Sequence, residues 1–150
     1  MITYSYLPPT APPTVSNAAD MTTLNGIVPA WSQPYPLLNR YVFEPAIYLG
    51  WLVGITAGDS VLAPASMNVV QTGFTDTTGG VSMSDLSGHV TIYISGLVSP
   101  FVYNGQLLEA GTTVLGLSTG NVFFQVAYLN RVFDPSTLPQ LSVVGGNAAP

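Results

Sequence analysis

The sequence contains no cysteine and no lysine, and it holds a single histidine, His89. Without cysteine there is no disulfide framework, no thiolate zinc site and no thiol nucleophile. The only bases are Arg40 and Arg131, against seven acids, and the net charge is −5. Nucleic-acid binding needs basic side chains that displace counterions from phosphates, and anionic membranes need them too. Two arginines supply neither, so partners of both kinds are excluded. Charged residues make up only 6% of the chain, where ordinary soluble domains carry about 25%.

Long apolar runs are also missing, although mean hydropathy is +0.42. The best candidate, PAIYLGWLVGITAG, ends before Asp59 and is broken by Gly50 and Gly54. It falls short of the ~20 residues a spanning helix needs and reads as a buried strand. The N-terminus, MITYSYLPPTAPP, has neither a basic region nor a continuous apolar core, so no secretory signal is expected. No Asn-x-Ser/Thr sequon occurs.

What is present is proline, glycine and β-branched or aromatic residues. PPTAPP and Pro29, Pro34 and Pro36 make residues 1–36 hostile to helix and to interior strand. The segment still carries Tyr4, Tyr6, Leu24, Ile27, Trp31 and Tyr35, which disordered tails lack. It is expected to be an extended arm lying on something apolar, its own domain or a neighbour. From residue 40 the pattern is β. Strands are expected at Arg40–Phe43, Ala46–Thr56, Ser60–Ala63 and Met67–Thr72. In Gly88–Ser95, Val90, Ile92 and Ile94 alternate with Thr91, Tyr93 and Ser95, the sign of a half-buried strand. Asn104-Gly105 signals a hairpin. STGN, residues 118–121, signals a turn before the strand Val122–Leu129, which is apolar on both faces and therefore central or covered. DTTGG, residues 76–80, reads as a turn, and no window reads as a convincing amphipathic helix. The fold class is all-β: a small β-barrel or sandwich over residues 37–134, with the Pro-rich arm before it and a tail over 135–150.

Catalytic signatures are sparse. His89 has no serine elbow beside it and reads as a strand-end histidine. Asp76 and Asp85 bracket a Gly/Ser/Thr loop without the acidic spacing of a calcium loop. Glu44 precedes a proline close to Arg40, and Glu109 opens the turn E-A-G; neither pairs in a hydrolase pattern. No metal, no cofactor and no enzyme activity are expected. The tyrosines and tryptophans suit interfaces, where an apolar body meets a polar tip. Tyr4, Tyr6, Trp31, Tyr35 and Tyr93 are the candidate interface anchors, and whether a partner covers the face holding Thr91 and Tyr93 is the open question. Scarce charge further suggests a self-associating chain, a homotrimer for preference.

The extended arm and the phrases AGDSVLAP, GHVTIYISG and NGQLLEAGTTVLG resemble the head decoration (cement) proteins of tailed bacteriophages. That resemblance implies a non-enzymatic structural subunit on the capsid exterior, made in the host cytoplasm, trimeric, and bound to the major capsid protein or other virion subunits. The alternatives are a carbohydrate- or receptor-binding module of a fibre or spike, and another self-assembling fibre subunit.

Overall fold

The computed structural model describes residues 5–8, 11–31, 35, 37–43, 47–74, 78–99 and 101–141, with the side chains of 37–43, 47–49 and 74 outside the description. Among the described residues nine strands form one sheet: β1 Ser5–Tyr6, β2 Leu37–Phe43, β3 Ile47–Val53, β4 Ser60–Leu62, β5 Asn68–Phe74, β6 Gly79–Ser84, β7 Val90–Val98, β8 Val114–Tyr128 and β9 Arg131–Phe133. The main path runs β1-β9-β8-β7-β6-β5. The fold is all-β, as the alternation predicts, and the sheet stays open rather than closing into a barrel.

β8 organises the molecule. One of its edges pairs with β7 along most of its length. Its other edge is shared by three short strands: β4 at Val114–Leu117, β3 at Val122–Phe124 and β9 at Val126–Tyr128. Partners on both edges, with packing on both faces, explain why this strand is apolar on both sides.

STGN is not a turn. The register jumps there from Ser95↔Phe123 to Leu97↔Ser118, so the segment is a bulged bend inside one long strand. Its polar groups bond locally: Ser118 Oγ donates to the Ile55 carbonyl at 2.7 Å, and Thr119 Oγ1 donates to the Gly96 carbonyl at 2.8 Å. Gly96 sits at φ +87°, and a Cβ there would meet the Asn121 carbonyl oxygen at 2.0 Å. Only glycine lets the two strands approach so closely.

Two other expectations fall. Of DTTGG, Gly79 and Gly80 open β6, a strand the glycines concealed, while Asp76 and Thr77 lie outside the described residues. Asn104-Gly105 does not join two strands. It caps the sheet edge instead: Asn104 Oδ1 accepts from Thr72 N at 2.9 Å, and Gly105 N donates to the Val69 carbonyl at 2.8 Å. These bonds satisfy groups that an edge strand leaves open.

The arm contains a helix that sequence reading denied. α1, Ala18–Asn25, is started by Asn17, whose side-chain oxygen accepts from Ala19 N and Asp20 N. Its buried residues are Asp20 and Leu24, one turn apart. One of the two is a carboxylate, so no apolar stripe marks the helix. Leu7, Leu24, Ile27, Ala30, Trp31 and Tyr35 join the same core as Trp51, Ile94, Phe124 and Val126. The described arm therefore lies on its own domain, tied by Val28 N to the Pro64 carbonyl and by Leu62 N to the Ala30 carbonyl, both at 2.8 Å. At the other end, Leu138 and Leu141 also enter this core, and Gln140 Nε2 donates to the Leu24 carbonyl at 2.7 Å. Each large side chain so buried contributes about 1.5–3 kcal/mol.

Candidate functional site

The two faces of β7 and β8 differ. Val90, Ile92 and Ile94 of β7 point inward with Val122, Phe124 and Val126 of β8, and all are buried. Trp31 meets Phe124 edge-on, centroids 6.2 Å apart, and Trp51 lies 5.8 Å from the same ring. The arm thus covers the inward face.

Tyr93 stands on the outward face, 38% exposed. Its paired neighbours are Ser82 on β6 and Gln125 on β8. Its side chain leans across β6 over Gly80, where an added Cβ would meet Tyr93 Oη at 2.8 Å. Phe123 supports the ring from the other side, centroids 6.3 Å apart. Beside the ring lies a hollow of about 200 Å³ whose polar lining is Ser82, Ser84, Thr91, Gln125 and Asn130. Among the described residues no charged side chain lines it.

A second constellation joins α1 to the sheet. Asp20 is only 4% exposed. Tyr128 Oη donates to its Oδ2 at 2.6 Å, and His89 Nδ1 lies 3.1 Å from both carboxylate oxygens. The Tyr128 hydroxyl holds the Asp20 carboxyl below 3.8; burial opposes this, and the His89 hydrogen bond and charge assist it. The same bond, with burial added, pushes Tyr128 up to about 12. In the neutral tautomer that donates Nδ1–H to Asp20, the His89 lone pair falls on Nε2, an arrangement that orients a base. Next to it a cleft of about 440 Å³ runs between α1 and residues 65–67 and 85–87, with Asp20, Asp85, Ser66 and Ser87 in its lining.

The sequence-predicted residues separate. Trp31 and Tyr35 are buried in the core, and the Tyr35 hydroxyl donates to Asp59. Tyr6 is exposed on β1, Tyr93 is exposed on β7, and Tyr4 lies outside the described residues. Asp85 serves its own turn, accepting from Ser87 Oγ at 2.7 Å and Val90 N at 3.2 Å. Glu109 stays at a turn through its backbone, its carbonyl accepting from Thr112 N and Thr113 N; Glu44 and Asp76 are outside the description. His89 is more than a strand-end histidine. Its partners Asp20 and Tyr128 were missed because Asp20 lies 69 residues from His89 and 108 residues from Tyr128, beyond any local spacing.

No family model and no curated protein matches the chain. Solved structures do. Lysostaphin from Staphylococcus simulans, described as an antimicrobial peptidase, matches with TM-score 0.59 and 19% identity over 83% of this chain and 55% of its own. The catalytic domain of the prophage-encoded M23 protein EnpA from Enterococcus faecalis, in a point-mutant form, matches with TM-score 0.58 and 14% identity over 74% of this chain and 96% of its own. A zinc-containing peptidase from Vibrio cholerae gives TM-score 0.58 and 16% identity over 74% of this chain and 38% of its own. The chain has the fold of these peptidases. It spans about half the length of the lysostaphin chains it matches.

This overturns the decoration-protein resemblance and what followed from it: the structural role in a virion, the capsid vocabulary, the fibre-module alternative and the separation from any enzyme. The phrases AGDSVLAP and NGQLLEAGTTVLG are strand-and-turn phrases of β proteins at large. They carry β geometry, not a family.

The fold raises the question of zinc. A catalytic zinc takes three protein ligands and keeps an open position. This chain has one histidine and no cysteine. His89 Nδ1 and the Asp20 carboxylate are already engaged with each other, and the carboxylate also with Tyr128. Among the described residues no three His, Cys, Asp or Glu side chains gather. The donor set does not fit a zinc centre, and no step through zinc is assigned to this chain.

Proposed function

We propose that the chain is a peptidoglycan-engaging domain built on the lysostaphin-type peptidase fold. The observation that carries this reading is the fold likeness, which takes in nearly all of the EnpA catalytic domain. The lysostaphin it resembles is an antimicrobial peptidase, so a bacterial wall peptide is the ligand class that reading brings. A half-open, uncharged sheet face and a separate cleft beside α1 offer surfaces for such a polymer. The test is co-sedimentation with purified peptidoglycan. Saturable binding is expected, and a chain that stays in the supernatant at excess wall material contradicts the reading.

A hydrolytic version is favoured by one observation, the Asp20–His89 pair. A base oriented by a buried carboxylate abstracts a proton from water or a hydroxyl through Nε2, an effect worth about 10²–10⁴ in rate. Release of new amino groups from the wall, lost in His89→Gln with binding kept, is its signature. Equal release by His89→Gln removes the base from the chemistry.

A further inference from the structure

We infer that the hollow beside Tyr93 is a subsite for one uncharged sugar ring of a glycan strand. The inference rests on the peptidoglycan reading and names a part of that polymer which a peptidase fold does not by itself imply.

Gly80 lets the Tyr93 ring lean over the sheet instead of standing away from it, since any side chain at 80 would collide with Oη and Cε1. Phe123 props the ring from the β8 side. The result is an aromatic platform that the sheet backs and solvent still reaches. An aromatic face carries the negative part of the ring quadrupole, and the C–H hydrogens on one side of a pyranose present slight positive charge to it. Around the platform stand hydroxyls and amides, Ser82, Thr91, Gln125 and Asn130, interleaved with the apolar Val70, Met83 and Ile92. These are the donor–acceptor groups that sugar hydroxyls and acetamido groups match.

Size and charge narrow the ligand. The hollow, at about 200 Å³, is smaller than the roughly 300–1,000 Å³ of pockets that swallow a drug-sized ligand. It suits one ring with the rest of the strand in solvent. The uncharged lining offers no opposite charge to a carboxylate or an ammonium, so charged peptide side chains are a poorer match than an uncharged ring. Nucleobases also stack on tyrosine, but the chain's net charge of −5 and lack of lysine leave their phosphates unmatched.

The test is calorimetric titration of the full chain with chitotetraose, an uncharged N-acetylglucosamine oligomer, with intact peptidoglycan as a second probe. Saturable chitotetraose binding is expected. Tyr93→Ala should weaken it at least tenfold with an unchanged circular dichroism spectrum, and Tyr93→Phe should hold it within about threefold. Gly80→Ala, whose Cβ would meet both the ring and the Ile94 carbonyl oxygen at 2.9 Å, should also weaken it. Absence of wild-type binding, or equal binding by Tyr93→Ala, overturns the subsite. If chitotetraose fails while peptidoglycan still binds, the subsite falls and the domain reading stands. If both fail, both fall.

Discussion

The two faces of β7 and β8 use the same backbone for opposite ends. The inward face holds Ile92, Ile94, Phe124 and Val126, closed by the arm through Leu24, Ile27 and Trp31. The outward face holds Thr91, Tyr93 and Gln125, of which Tyr93 is exposed beside the Phe123 ring and the other two are half-buried. One chain therefore carries a strand pair that is structural on one side and available on the other.

The sharpest way to break this comparison is to truncate one residue on each face. Phe124→Ala should cost about 3–5 kcal/mol, read from the urea midpoint. Tyr93→Ala should cost about 1 kcal/mol or less. Equal losses would mean that the outward face is core as well. Next in size is Gly96→Ala, at the bend where β8 bulges against β7. With φ +87° and the Asn121 carbonyl in the way, the variant should lose more than about 1 kcal/mol by the same measurement.

The inward face also has a titratable latch. Asp20 has a lowered pKa in the fold, so its contribution is present above 3.8 and is lost as pH falls through the lower folded value. Tyr128 has a raised pKa, so its contribution is full below 10 and is lost as pH rises through about 12. The urea midpoint should fall at both extremes, and Asp20→Asn should flatten both limbs. Unchanged limbs in that variant would place the titration elsewhere. The smallest effect is expected at the sheet edge. Asn104→Ala removes the acceptor for Thr72 N and should cost about 0.5–1.5 kcal/mol.

How much of this was legible depends on range. The alternation of Val90, Ile92 and Ile94 against Thr91 and Tyr93 is local, and it gave the strand and its facing correctly. The two-sided apolar pattern of Val122–Leu129 announced a central strand. Local signals misled where tertiary pairing outweighed them. Ser118–Asn121 has turn chemistry but is carried through as a bulge by β4, β7 and β3. Gly79 and Gly80 look like a turn yet pair with β7, because Gly80 makes room for Tyr93. Helix α1 was hidden because its buried face is an aspartate and one leucine. The Asp20–His89–Tyr128 cluster was out of reach, since its members meet only once the arm has folded onto the sheet. The peptidase fold lies deeper still: at 14–19% identity it survives as strand pairing, not as motif.

The central claim is that the outward face around Tyr93 is where a wall polymer sits. Hydrogen exchange of the chain with and without soluble peptidoglycan fragments tests it directly. The account predicts new protection confined to β6, β7 and the Val122–Tyr128 half of β8. Protection confined to α1 and residues 65–67, or none at saturating fragment, would contradict it.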